Sequence, residues 1–135
     1  MAKGKTAGKR GNGLTHKTIA RQEYYEKRGY IVADVERRIP HTFITQDMYG
    51  VFDLVATGHN RIVGVQVTDN TNFSKRRVKV LESRLAYTWV ENGGEIEIIG
   101  VKKTSLGNIF RVEQLKSEDF QCSFFNTKGQ HELRM

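Results

Sequence analysis

The chain has few of the residues that would cross-link it or carry it through a membrane. Its 135 residues include one cysteine, Cys122, and one proline, Pro40. A single cysteine excludes an internal disulfide and a zinc site built on cysteine pairs. No apolar run approaches the roughly 20 residues that a membrane-spanning helix needs, and the N-terminal MAKGKTAGKRGNG is followed by no apolar segment. We therefore expect a cytoplasmic protein with no secretory signal and no membrane contact.

Acidic residues are also scarce, with 15 Asp and Glu against 22 Lys and Arg and a net charge of +7. This excess favours an anionic partner, of which nucleic acid is the commonest. Residues 1–13 are rich in Gly and Lys and lack apolar periodicity, so they are predicted to form a flexible basic arm that carries Lys5, Lys9 and Arg10. A second basic cluster consists of Lys75, Arg76, Arg77 and Lys79.

Residues 14–135 are predicted to form a single α/β domain with a mixed sheet. Thr15 is a suitable N-cap for a helix that runs to about Arg28, is followed by Gly29 and has its core face at Ile19, Ala20 and Tyr24. Alternating apolar residues predict strands at 30–37, 51–68 (a hairpin), 95–101 and 108–115. Between the first strand and the hairpin, residues 38–50 are expected to form a loop.

Helical spacing of apolar residues predicts one long amphipathic helix from about Ser74 to Glu91. Its core-facing stripe would contain Val78, Leu81, Leu85 and Trp89. The following Asn92-Gly93-Gly94 is expected to end it.

The stretch VFDLVATGHNRIVGVQVT, residues 51–68, carries polar residues inside two apolar strands. Side chains alternate across a strand, so Gln66 and Thr68 share one face. In an antiparallel hairpin turning at Gly58-His59-Asn60, Asp53 would lie close to Gln66. This arrangement could hold a divalent metal; the alternative is a hairpin whose polar residues face water.

These residues resemble the PD-(D/E)XK nuclease superfamily, including archaeal Holliday-junction resolvases and small phage-type proteins. FDLVA is similar to the segment that carries the family's Asp, and VQVT stands where its E-x-K triplet would be. The resemblance covers about residues 14–103. It implies a restriction-endonuclease-like αβββαβ core, with a mixed central sheet flanked by helices. It also implies Mg²⁺- or Mn²⁺-dependent DNA hydrolysis, in a bacterial, archaeal or phage-infected cell.

Two positions depart from the family pattern. Gln66 replaces the acid, although its amide oxygen can still ligate a hard cation. Thr68 replaces the lysine that usually positions or activates the attacking water. Since the superfamily sometimes moves this lysine to a neighbouring helix, Lys75 or Lys79 could replace it. The alternative is a degenerate site that binds nucleic acid without cutting it.

A hydrolytic metal site usually needs more than one carboxylate. Asp47 and Glu36 are the preferred companions of Asp53, and Glu23 in the first helix ranks below them. Asp47 precedes Gly50, which permits a sharp turn. Each acid also has an ordinary explanation: Asp47 could cap a turn, Glu36 could pair with a neighbouring arginine, and Glu23 could be an exposed helix residue.

The resulting hypothesis is a metal-dependent endonuclease that acts on branched DNA as a homodimer. Phe120, Phe124 and Phe125 lie outside the core pattern, and they could cover their own sheet or pack across a dimer axis. The alternatives are a non-cutting nucleic-acid-binding protein of the same fold, and a small basic RNA-binding protein suggested by composition alone.

Overall fold

The structure is a computed structural model that describes residues 13–42 and 44–120. In chain order the strands are β1 (Ile31–Asp34), β2 (Arg37–Arg38), β3 (Thr45–Gln46), β4 (Leu54–Gly58), β5 (Arg61–Asp69), β6 (Glu95–Thr104) and β7 (Gly107–Leu115). Strands β1, β4, β5, β6 and β7 form one sheet in that spatial order, while β2 pairs with β3. Only β5 and β6 are parallel neighbours within the five-stranded sheet. The predicted α/β fold with a mixed central sheet is confirmed.

The first helical segment, α1, changes its hydrogen-bonding pattern along its length. It is α-helical over His16–Ile19, π-helical over Ala20–Tyr25 and 3₁₀ over Glu26–Arg28. The Thr15 side chain accepts from the backbone N–H of Thr18, and Gly29 ends the segment with φ 93°. The expected core residue Tyr24 is only half-buried, whereas Tyr25 is 1% exposed. A π-turn spans five residues instead of four, which places Tyr25 after Ala20 on the buried side.

The single helix expected over 74–91 is wrong, because two helices occupy this region: α2 (Phe73–Leu81) and α3 (Arg84–Glu91). Ser83 begins α3 by accepting a hydrogen bond from the backbone N–H of Ala86 at 3.1 Å. Because of this break, the buried residues are Phe73 and Val80 in α2 and Ala86 in α3. Two predicted core residues are instead half exposed, Val78 at 51% and Leu85 at 53%.

The predicted hairpin is formed by β4 and β5, with Leu54 opposite Val65. His59 and Asn60 have φ values of 53° and 63°, as a two-residue type I′ turn requires. Strand β1 ends at Asp34, earlier than predicted, because the Asp34 carboxylate accepts from the backbone N–H of Glu36 and turns the chain. Residues 38–50 are predicted to form a loop, but Arg38 of β2 and both residues of β3 lie in this segment and form part of the small β2–β3 pair.

Alternate residues of the central strands face two different core clusters. Helix α1 packs over Val63, Val65 and Val67 on one face. Helices α2 and α3 cover the other face, where Phe52 lies against Gly64 so closely that a Cβ on this glycine would be 2.6 Å from the ring. The last residues of β5 therefore lie between the start of α1 and the start of α2.

Phe120 belongs to the core of its own subunit, since it is 1% exposed and its ring centroid lies 5.7 Å from that of Tyr87. Phe124 and Phe125 lie outside the described residues, as do Lys5, Lys9 and Arg10 of the predicted arm. Among the helices that the structure describes, none has the length and apolar character needed to cross a membrane.

Candidate metal centre

A cavity of about 570 Å³ opens where β5 ends, between the first turn of α1 and the side of α2. Its polar lining divides into acids and bases. The acids of the lining are Glu36, Asp47, Asp53 and Asp69, its buried amide is Gln66, and its basic residues are His16, Lys17, Arg76 and Lys79. Thr68, which is 6% exposed, also lines the cavity.

Three carboxylates converge in this cavity. Glu36, Asp47 and Asp53 each offer an oxygen, and these oxygens lie within 4.8 Å of one another. Glu36 follows the turn after β1, while Asp47 is fixed by a tight turn in which its carbonyl accepts from the Gly50 N–H at 2.9 Å. The structure therefore brings both preferred companions to Asp53. Glu23 instead accepts a hydrogen bond from Asn108 at 2.9 Å and is not part of the cavity lining.

Asp53 and Gln66 are in direct contact, as the hairpin pattern predicted. The Asp53 Oδ2 accepts from Gln66 Nε2 at 2.8 Å and from the Val67 backbone N–H at 2.9 Å. Gln66 is 1% exposed, and its Oε1 has no hydrogen-bond partner within the described part of the chain. An unpartnered buried oxygen is energetically costly. A half-turn of the amide exchanges Nε2 and Oε1, so Gln66 can offer this oxygen to a hard cation.

Burial raises the pKa of Asp53 from 3.8 to about 7. The hydrogen bond from the Val67 backbone opposes this rise, whereas the negative charges of Asp47 and Glu36 add to it. Near neutral pH a fraction of the Asp53 carboxyl is therefore protonated, and a bound cation would favour its charged form. The ligand atoms are all oxygens, which suit Mg²⁺ or Mn²⁺ better than a softer metal.

Lys17 also lines the cavity, although no motif in the sequence points to it as a site residue. Its Nζ lies 2.9 Å from Asp34 Oδ2 and 2.7 Å from Glu36 Oε1. Although burial opposes the change, the hydrogen bonds to Glu36 and Asp34 raise the pKa of Lys17. The only signal in the sequence was a lysine in the first turn of a helix, which does not reveal a contact 19 residues away in the chain.

The predicted basic cluster on α2 is divided between two environments. Arg76 and Lys79, three residues apart on one helix face, both line the cavity. Arg77 turns away and pairs with Glu113 of β7 at 2.9 Å. Lys75 is exposed and lies outside the cavity lining. Of the two lysines expected to replace the missing one, Lys79 therefore lines the cavity and Lys75 does not.

Comparison with models of protein families matches none of them, and comparison with curated protein sequences also yields no match.

Proposed function

We propose that this protein is a metal-dependent DNA endonuclease with the restriction-endonuclease-like core of the PD-(D/E)XK superfamily. The order α1, β1, β4, β5, helical crossover, β6 supports this fold, with β2–β3 as an insertion and β7 as an added edge strand. Asp53 directly precedes β4 and Gln66 lies in β5, which are the hairpin positions on which the resemblance is based.

One observation carries the proposal: three carboxylates and a buried amide converge in a cavity that basic residues also line. Carboxylates within 4.8 Å of one another repel unless a proton or cation neutralises them. A purely structural arrangement would give Gln66 Oε1 a partner, and the described part of the chain offers none. The basic residues Arg76 and Lys79 of the same cavity suit a phosphate group.

In this function, Asp53, Gln66, Asp47 and Glu36 hold the metal ion. When bound, Mg²⁺ supplies Lewis-acid polarisation of the scissile phosphate and lowers the pKa of a coordinated water. Arg76 and Lys79 bind phosphate oxygens of the DNA backbone beside the cleaved bond. The Val67 backbone N–H orients the Asp53 carboxylate through its 2.9 Å hydrogen bond.

Branched DNA is the proposed substrate, and the active form is a homodimer. The resemblance to resolvases supports the substrate. Two related strands of a junction require two sites, which a two-fold dimer would supply. Phe120 lies in its own core and so offers no contact across a dimer axis, leaving Phe124 and Phe125 as the candidates in the C-terminal segment.

A second function is favoured by Thr68, which occupies the lysine position of the triplet without a charge. A protein of the same fold that binds nucleic acid through Arg76 and Lys79, without cutting it, would need no lysine there.

Nicking of supercoiled plasmid distinguishes these functions. We expect the wild type to nick in Mg²⁺ or Mn²⁺ and to be inactive in EDTA, and Asp53→Asn to be inactive in both. Glu23→Gln is a matched control, because Glu23 is an acid in the same domain that lies outside the cavity; it should nick at the wild-type rate. Equal nicking by wild type and Asp53→Asn would refute the proposed site.

A further inference from the structure

The Thr68 position leaves the acidic side of the cavity without the lysine that the triplet would supply. Nearly all of Thr68 is buried, so a distant lysine cannot simply occupy its place. A replacement must reach the same cavity from another element and be held close to the acids. Lys17 of α1 meets both conditions, since it lines the cavity and contacts Glu36.

The Lys17 ammonium is held by two carboxylates with different roles. Asp34 contacts Nζ at 2.9 Å and is not one of the three converging acids, whereas Glu36 contacts it at 2.7 Å and is. If a metal ion took the Glu36 oxygen that Lys17 contacts, Lys17 would lose one partner and keep the other. An ammonium group has three donors, so Lys17 could remain anchored by Asp34 with donors directed into the cavity.

The contact of Lys17 with Glu36 is partly buried, whereas its contact with Asp34 lies nearer the surface. The Lys17 side chain is 27% exposed, and α1 is fixed by Ile19 and Ala20, which are buried against the sheet. The ammonium is therefore positioned by the fold. Lys79 is exposed, and among the described residues it has no carboxylate within ion-pair distance, which suits a residue that binds the DNA backbone.

We propose that Lys17 is the lysine of this site. In the metal-free protein it holds Glu36; when Glu36 turns to the metal, Lys17 stays anchored to Asp34 and contributes positive charge next to the scissile phosphate. This inference rests on the proposed nuclease function. It assigns cleavage to a lysine from the first helix, and DNA binding to Arg76 and Lys79 of α2.

The test measures cleavage and metal binding separately. Single-turnover cleavage of plasmid DNA, at protein concentrations that bind all of it, is compared for wild type, Lys17→Met, Lys17→Arg, Lys79→Met and the exposed control Lys75→Met. The Mn²⁺ concentration that gives half-maximal thermal stabilisation is measured for the same proteins without DNA. Met keeps the aliphatic stem of lysine, so packing changes little.

We expect Lys17→Met to cleave about 10²-fold more slowly, the typical effect of removing one electrostatic contact to the reacting group. Its Mn²⁺ midpoint should be unchanged or lower, because the ammonium no longer competes for Glu36. Lys17→Arg should retain more activity than Lys17→Met, since it keeps the charge. Lys79→Met should weaken DNA binding, and at saturating protein it should lose less of the cleavage rate than Lys17→Met does.

The inference is overturned if folded Lys17→Met cleaves bound DNA at nearly the wild-type rate. It is also overturned if Lys17→Met loses Mn²⁺ binding together with cleavage, because Lys17 would then only support the shape of the site. If Lys17→Met does not fold, Lys17→Arg is the deciding variant. The role of charge would be refuted if Lys17→Arg folds and binds Mn²⁺ as the wild type does but does not cleave DNA. Failure of the wild type itself to cut would refute the proposed function, which is a different result from an active Lys17→Met.

Discussion

Replacing Asp53 by Asn should stabilise the metal-free protein, although it destroys the proposed site. Above pH 3.8 the unfolded chain has an ionised Asp53, whereas the folded protein keeps this carboxyl protonated up to about pH 7. The folded state therefore binds more protons in this window, and the contribution of Asp53 to the free energy of unfolding falls as the pH rises from about 4 to 7. An asparagine side chain at this position carries no charge, so the free energy of unfolding of the variant would not fall with pH for this reason.

The magnitude follows from the pKa of Asp53. The difference between 3.8 and about 7 corresponds to about 4 kcal/mol, because each pKa unit is worth about 1.4 kcal/mol. An Asn side chain can still accept from the Val67 N–H, and its Nδ2 can donate to the unpartnered Gln66 Oε1 once that amide turns. We expect Asp53→Asn to gain about 2 to 4 kcal/mol at pH 8 and less than about 1 kcal/mol at pH 4.

Urea unfolding in EDTA, followed by far-UV circular dichroism at both pH values, measures this gain. Asp69→Asn is a control of opposite sign, because the backbone and side-chain hydrogen bonds from Asn72 lower the pKa of Asp69; this variant should be less stable at pH 8. With Mn²⁺ at 100 times its dissociation constant, the wild type should gain about 2.7 kcal/mol and Asp53→Asn nothing. If Asp53→Asn is less stable than the wild type at pH 8 in EDTA, the reasoning about this carboxylate is wrong.

Three further predictions concern packing, the arm and assembly. Gly64→Ala should lose about 1 to 3 kcal/mol in urea unfolding, because its Cβ would be 2.6 Å from the Phe52 ring; an unchanged midpoint would contradict the packing. Removing residues 1–13 should lower the slope of log affinity for DNA against log salt by about 2 to 3, since several Lys and Arg contacts to phosphate are lost; an unchanged slope would exclude the arm from binding. Light scattering should give about twice the chain mass of 15.5 kDa; a monomer at micromolar concentration that still cleaves junctions would exclude the dimer.

Local signals in the sequence predicted the hairpin and the contact at its centre. The Gly58-His59-Asn60 turn fixed the register, and the two-residue period of the strands then placed Gln66 opposite Asp53, where the 2.8 Å hydrogen bond is found. The tight turn after Asp47, which brings it to Asp53, could be anticipated from Gly50.

Features that depend on long-range packing could not be predicted in this way. A periodic apolar pattern does not show that Ser83 caps a new helix, because the same residue is also tolerated within a continuous one. The π-turn that buries Tyr25 in place of Tyr24 has no local signature of its own. The contact of Lys17 with Glu36 requires α1 to pack over the end of β5, which only the tertiary structure determines.

The central claim is that the converging acids serve cleavage of bound DNA, and a four-way junction tests it most directly. Binding by gel shift in Ca²⁺ and cleavage after addition of Mg²⁺ are measured on the same junction for wild type and Asp53→Asn. We predict that both proteins bind with similar affinity and that only the wild type cuts, with strand breaks that depend on Mg²⁺. A wild-type protein that binds the junction tightly and leaves every strand intact in Mg²⁺ and in Mn²⁺ would contradict the account.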